Sequence, residues 1–322
     1  MLVRQLEYLV ALSREGHFAR AAEACHVSQP ALSAGIRKLE SELGVQVVLR
    51  GQRFEGFTPE GLEVLRWAQR VVADQEALQQ TLTSMRTGLT GTLRIGAIPT
   101  ALGIAAQLTT PLRAAHELVR FSIESLTSRE IVAKLNDFDI DVGLTYVDGE
   151  PLGRVRVIPL YRERYVFLTP VDGAFAGRTS VTWPEAADTP LCLLVPSMQN
   201  RRIIDGYFAD HGLSVTPVVE TDTVSAMYAH LAVMKLSTIA PFSWIKSFGP
   251  PPGAMVLRLP RPRRARHVGL VLAGRGRESL LTSALVETAQ GLDLDRQLGT
   301  AMRRLLAELE PAEPAADPSA DR

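Results

Sequence analysis

Apolar residues between positions 18 and 43 recur every three or four places, and after Thr92 the rhythm changes to short β-branched runs separated by amphipathic stretches. The first rhythm marks one face of a helix; an unbroken apolar run between turn residues marks a buried strand. Residues 2–57 thus predict short helices followed by a Gly- and Arg-containing loop. Residues 59–87 predict one long helix, begun by a Thr58 cap with Pro59 at the first helical position and ended at Gly88 and Gly91. Beyond it, LRIGAI (93–98), VRFSIE (119–124), IDVGLTY (140–146), YVFLTP (165–170), LCLLV (191–195) and HVGLVLA (267–273) predict buried strands. Helical periodicity fills the gaps near 101–115, 128–136, 200–211 and 223–235, so an α/β domain with mainly parallel strands is expected. The Pro/Ala/Asp-rich tail after Glu310 predicts disorder.

Within the N-terminal segment, Phe18, Ala21, Ala22 and Ala24 lie on one short helix and Cys25-His26-Val27 form a tight connection. Ser28 can cap a second helix, and Pro30 falls in its first turn, where a missing N–H costs nothing. Leu32, Ile36, Leu39 and Leu43 give that helix one apolar face, and small Ala21 and Ala22 let the two helices cross closely. The layout is that of a helix-turn-helix, whose second helix enters the major groove by its N-terminal end. Gln29 and Ser33 lie at that end; a Gln amide donates and accepts together and can pair bidentately with adenine. Arg37, Lys38, Arg50 and Arg53 are candidate phosphate contacts, which set position while base contacts set sequence preference. An ordinary helical hairpin with solvated Gln29 and Ser33 is the alternative.

The run FARAAEACHVSQPALSAGIRKLESELGVQVVLRGQRFEGFTPEG strongly resembles the DNA-binding domain of the LysR-type transcriptional regulators. AA at 21–22, SQPALS at 28–33, IRKLE at 36–40, ELG at 42–44, Arg50, and Thr58 with Gly61 carry the resemblance, closely over residues 2–87 and more loosely to about residue 303. It implies an all-α winged helix-turn-helix domain over 1–58, with the wing at 46–58 and DNA contacts at Ser28, Gln29, Pro30, Ser33, Arg37, Lys38, Arg50 and Arg53. The linker helix and hinge then span 59–91, the effector domain 92–303, and a helix end with tail 304–322. Family effector domains resemble periplasmic solute-binding proteins, two lobes around one cleft. That places lobe I at about 92–163 and 268–303 and lobe II at about 164–267, with crossings near Arg162–Tyr165 and His267. Two departures matter: Ala34 and Gly35 offer little to a base edge, and VVLR at 47–50 alters the wing's packing. Direct readout then leans on Gln29 and Ser33, with DNA shape contributing more.

Along the long helix, Val64, Ala68, Val71, Gln75, Leu78, Leu82 and Met85 alternate spacings of four and three, a heptad seam that buries itself against a partner helix. Packing on the chain's own α/β domain is the alternative. The resemblance implies a dimer with antiparallel linker helices, assembly of two dimers into a tetramer, and binding to paired half-sites of promoter DNA.

Parallel strands place ligands beyond their carboxyl ends, where helix N-termini converge. Candidate effector contacts there are Thr100, read both as a cap and as a ligand group, Thr127 and Ser128, and Asn200, Arg201 and Arg202 after LCLLV. Thr127 with Glu130 also has capping-box spacing. Two arginines at a helix start oppose its dipole, so a bound anion or surface carboxylates would relieve them, and a small anionic effector of unknown identity is expected. Tyr146 ends a strand, as a cleft residue or a core aromatic. RPRRARH (261–267) is read as a solvated basic loop in preference to a nucleic-acid patch.

Composition narrows the field. The 322 residues carry 35 basic and 35 acidic side chains, which excludes a polybasic tail and leaves room for a local basic surface. Apolar stretches fall far short of about 18 residues, so no membrane span is expected. Charged Arg4 and Glu7 interrupt the start, so no secretion signal and a cytoplasmic location are expected. No GxSxG, HExxH, Walker loop or CxxC is present, so neither an enzyme nor a metal or cofactor site is expected; Gly-rich GRGRE (274–278) lacks phosphate-loop spacing. Cys25 and Cys192 fall in different domains, which argues against a redox disulfide. The expected protein is a LysR-type regulator, with RNA polymerase recruitment implied by the resemblance. The reading kept beside it is a solute-binding receptor with an unusual helical N-terminus.

Overall fold

The structure, a computed structural model, describes residues 3–50, 53–262, 265–274 and 278–308. Helices α1 (Val3–Glu15), α2 (Phe18–Ala24) and α3 (Gln29–Leu43) come first, followed by a hairpin of β1 (Val48–Arg50) and β2 (Phe54–Phe57). Leu9, Leu12, Ala21, Leu32 and Leu39 are fully buried where the three helices cross, and form a core separate from that of the later domain. Leu43, assigned to the same apolar face, is 40% exposed, so the face ends one turn earlier than its spacing suggests. Gly35 has a reason: a Cβ there would lie 2.6 Å from the Tyr8 ring, so its absence lets α3 close on α1.

The long helix is α4 (Pro59–Thr87). The Thr58 side chain accepts from the Gly61 N–H at 2.9 Å while its own hydroxyl donates to the Gln46 carbonyl at 2.6 Å. A Cβ on Gly61 would sit 2.0 Å from the Val47 carbonyl oxygen, so glycine is required where α4 meets the wing. The heptad seam is divided. Ala68 is buried and Val64 and Val71 pack on the helical core, so the first half covers the chain's own N-terminal domain. Leu78 and Leu82, 58% and 55% exposed, leave the second half open.

The C-terminal domain continues with β3 (Gly91–Ala97), a 3-10 turn (Pro99–Ala101), α5 (Leu102–Ala115), β4 (Val119–Ser125), α6 (Ser128–Asn136), β5 (Val142–Tyr146) and β6 (Val155–Arg162). The chain then crosses to β7 (Tyr165–Pro170), α7 (Trp183–Ala187), β8 (Cys192–Leu194), α8 (Gln199–Ala209), β9 (Val219–Thr221), α9 (Val224–Met234), β10 (Thr238–Pro241), α10 (Phe242–Phe248) and β11 (Ala254–Arg258). It returns through β12 (His267–Ala273) to α11 (Leu280–Gly291) and α12 (Leu294–Glu308). One half holds a five-stranded sheet, β4-β3-β5-β12-β6; the other holds β10-β7-β11 and the pair β8-β9.

The mainly parallel expectation is corrected. β3 runs parallel to β4 and β5, and β8 to β9, but β12 is antiparallel to β5 and β6, and β7 to β10 and β11. A continuous apolar run reports burial on both faces and carries no strand direction. VRFSIE is also not a buried strand: β4 lies at the sheet edge, with Ile123 43% exposed. Arg263, Arg264, residues 275–277 of GRGRE and the tail from residue 309 lie outside the described residues, as do the side chains of Arg50 and Met85.

Candidate nucleic-acid interface and ligand cleft

The outward end of α3 is built by two local devices. His26, at φ 54°, turns the chain in the left-handed region, and the Ser28 side chain accepts from the Ala31 N–H at 3.4 Å, with Pro30 in the first turn. Ser28, Gln29, Pro30, Arg37 and Lys38 are exposed, as is Arg53 in the wing, and Ser33 is half-buried on the same helix. Ala34 is exposed, whereas Gly35 faces Tyr8. The wing is fastened by Glu40, a buried carboxylate that accepts from the Val47 and Val48 N–H groups at 2.9 and 3.1 Å. Val47 and Val48 are buried, Leu49 is 42% exposed, and Phe54 stacks edge-on with both Phe18 and Phe57. Aromatic contacts of β2 thus hold the wing that VVLR packs differently.

Beyond its place in the IRKLE match, Glu40 gave no sign of this role, since a single acid on an amphipathic helix reads as solvated. Because bonds to a charged acceptor are worth about 1.5–3 kcal/mol, Glu40→Ala is expected to destabilise the helical domain by about 2 kcal/mol. A lowered urea midpoint for that domain is the expected reading, and an unchanged midpoint rules out the pin.

The candidate effector residues fall into two groups. Thr100, Ser128, Tyr146 and Asn200 are all buried. Asn200 Nδ2 donates to the Tyr146 hydroxyl at 2.9 Å, linking the two halves; that hydroxyl lies 3.4 Å from the Tyr165 hydroxyl. Thr145 donates to Ser128 Oγ at 2.9 Å. Burial, and after it the neighbouring Glu163 carboxyl, pushes the Tyr146 hydroxyl far above its ordinary range, so it stays a neutral donor and acceptor. Thr100 is not the cap expected of it: it sits inside the 3-10 turn, α5 starts without a side-chain cap, and Thr100 Oγ1 is buried without a hydrogen-bond partner. Gln199, in the same strand-end segment as Asn200 but not among the candidate contacts, donates to the Asp148 carbonyl across the same interface at 3.2 Å, and its Oε1 is likewise buried and unpartnered.

The second group is already engaged. Thr127 is the N-cap of α6 in a reciprocal capping box with Glu130. Arg201 is buried and pairs with Asp205 at 2.8 Å and Glu220 at 2.5 Å. Arg202 pairs with Glu150 at 2.7 Å and donates to the Pro196 and Ser197 carbonyls. Both guanidiniums therefore have carboxylate partners, and the electrostatic reason for expecting an anionic effector is removed. Among the described residues no group of acidic, His and Cys side chains could hold a metal ion, and no helix is long and apolar enough to cross a membrane.

Comparison with known proteins agrees with this two-part layout. Residues 3–62 match the family described as "Bacterial regulatory helix-turn-helix protein, lysR family", and residues 86–292 match "LysR substrate binding domain". The chain is 28% identical over 296 residues to a hydrogen peroxide-inducible genes activator of Pectobacterium carotovorum, covering 90% of this chain and 98% of that protein. A protein of the same name from Dickeya chrysanthemi is 33% identical over 195 residues, 60% of this chain and 64% of that protein. A full-length cysteine-to-aspartate OxyR from Pseudomonas aeruginosa superposes with TM-score 0.74 at 25% identity, over 92% of this chain and 97% of that one. A full-length CbnR complexed with its target DNA shares the fold, with TM-score 0.63 at 20% identity over 90% of this chain and 99% of that one. A solute receptor with a decorative helical N-terminus is thereby set aside. The chain belongs to the lysR family of bacterial regulatory helix-turn-helix proteins, and is a transcriptional regulator with an N-terminal DNA-binding domain and a C-terminal effector-binding domain.

Proposed function

We propose that two subunits pair through the open half of α4 and present their α3 helices to successive major grooves of promoter DNA, about one helical turn apart. Gln29 reads a base edge with help from Ser33; Ser28 and Pro30 set the helix end against the backbone; Arg37, Lys38, Arg50 and Arg53 meet phosphates. An effector held between the two halves of the C-terminal domain, at Thr100, Ser128, Tyr146 and Asn200, shifts one DNA-binding pair against another in a tetramer and so changes access for RNA polymerase. Thr127, Arg201 and Arg202 hold the walls of that site instead of touching the ligand. The observation that carries the pairing is exposed Leu78 and Leu82 on the face that α4 leaves uncovered.

The peroxide response in the names of two relatives is not carried over. Thiolates are the nucleophiles that attack peroxide; here Cys192 is fully buried, which pushes its thiol up to about 11, and burial raises Cys25 as well.

A gel shift with the gene's own upstream region tests the reading. Wild type is expected to give a salt-sensitive shift, and Leu78→Glu with Leu82→Glu to abolish it at the concentration that saturates wild type, while lowering the mass in solution. Both positions are exposed in the single chain, so the substitutions leave its fold intact. A double variant that keeps its mass and its shift sinks the proposed pairing.

A further inference from the structure

A cavity of about 630 Å³ opens between the ends of β3 and β4 on one side and α9 and α10 on the other. Its walls are Pro99, Leu102, Val224, Tyr228, Trp244 and Phe248. The size falls within the roughly 300–1,000 Å³ of small-molecule sites. Tyr228 and Trp244 form a tilted ring pair with centroids 4.7 Å apart. The Tyr228 hydroxyl donates to the Gly249 carbonyl, so its ring is fixed and its polar end is taken. Trp244 is buried, and α10 approaches α5 so closely that a Cβ on Gly103 would lie 2.2 Å from Ser247 Oγ. The aromatic wall is therefore preformed.

Besides the Tyr228 hydroxyl and the Trp244 indole N–H, the polar groups lining the cavity are the hydroxyls of Ser125, Thr223 and Ser225; among the described residues no charged side chain lines it. Thr223 and Ser225 stand at the start of the 11-residue α9, where Thr223 Oγ1 accepts from the Ala226 N–H at 3.2 Å. Removing a full charge from water is costly without a counter-charge, whereas apolar area and ring contacts are favourable here. A hydroxyl can donate to an acceptor on the ligand, and the positive end of the helix dipole favours that polarity.

We propose that the effector is an uncharged aromatic small molecule with a hydrogen-bond acceptor. Its ring lies against Tyr228 and Trp244, and its acceptor meets the hydroxyls of Thr223 and Ser225. The inference rests on the reading that the effector sits between the two halves; it seats the ring in a cavity whose walls include none of Thr100, Ser128, Tyr146 and Asn200, and names the chemical class that this cavity takes. Pro99, Leu102 and Ser125 belong to one half and the remaining walls to the other, so such a ligand bridges both.

The test uses the full chain and two dyes of similar ring size: prodan, an uncharged dimethylaminonaphthyl ketone, and dansylate, an anionic dimethylaminonaphthalene sulfonate. Prodan is expected to bind saturably, one per chain, with blue-shifted emission and at least tenfold tighter than the sulfonate. Ser225→Trp fills the mouth from an exposed position, and Phe248→Glu places a charge there, also from an exposed position. Each is expected to weaken prodan at least tenfold with the thermal midpoint and the DNA gel shift unchanged. Absence of saturable prodan binding, tighter binding of the sulfonate, or unaltered prodan binding by both variants overturns the inference and leaves the DNA-binding reading standing. Loss of the gel shift in wild type with prodan binding as described overturns the regulatory reading and leaves the ligand class standing.

Discussion

Gln29→Ala is expected to lower the preference for operator over scrambled duplex by roughly fivefold to a hundredfold per half-site, the span of one bidentate amide–base pair worth about 1–3 kcal/mol. The effect is concentrated on one residue because its neighbours have little to offer: Ala34 ends in a methyl, and Gly35 is turned to the Tyr8 ring. Gln29 is exposed, so its loss leaves the core untouched and the thermal midpoint unchanged. Lys38→Ala and Arg53→Ala supply the contrast. A phosphate contact carries no sequence information, so each is expected to weaken operator and scrambled DNA alike and reduce the salt slope by about one. Competition gel shifts at fixed salt distinguish the two classes. An unchanged operator-to-scrambled ratio in Gln29→Ala would remove this side chain from readout.

The elements that the sequence displayed best are those with long or chemically punctuated patterns. Thr58-Pro59 and Gly88 bound α4 at the positions the structure shows, because a cap, a proline and a glycine act locally. The periodic segments 102–115 and 128–136 are likewise helices. What escaped depended on the partner across a gap. Apolar runs could not say that β12 returns antiparallel between β5 and β6. Heptad spacing could not say that Val64 and Val71 meet the chain's own helical core while Leu78 and Leu82 do not. The strand-end rule picked out Thr100, Ser128, Tyr146 and Asn200, all of them buried, with Asn200 bonded to the Tyr146 hydroxyl. The charge argument for Arg201 and Arg202 failed because Glu150, Asp205 and Glu220 come from the β5–β6 loop, the same helix and β9. The aromatic wall went unnoticed because FSWIKSF follows a strand without a break and is too short to show a helical period.

Glu163 is expected to make stability fall as pH rises, the reverse of a salt-bridged carboxylate. It stands where the chain crosses from β6 to β7 and is 4% exposed. Ser243 Oγ lies 3.3 Å from Oε1, and Oε2 has no hydrogen-bond partner. Burial is the largest influence and pushes the carboxyl up to about 8; the Ser243 bond, the Arg164 N–H and the Arg164 charge pull the other way and only partly offset it. Arg164 is itself held by Asp295 at 2.9 Å. A folded-state value above that of the unfolded chain means that folding favours the protonated acid. Its contribution is whole below about pH 4.5 and is lost as pH rises through about 8. At about 1.4 kcal/mol per unit, the loss across that window is on the order of a few kcal/mol. Glu163→Gln keeps the shape and cannot ionise, so it is expected to flatten the profile and to exceed wild type in stability above about pH 8. Urea unfolding at about pH 5, 7 and 9 measures both. Parallel profiles for wild type and Glu163→Gln would mean that this carboxyl titrates like an exposed one. Divergent profiles would place an ionisable group at the crossing that joins the two halves, close enough to the Tyr146 hydroxyl to raise it.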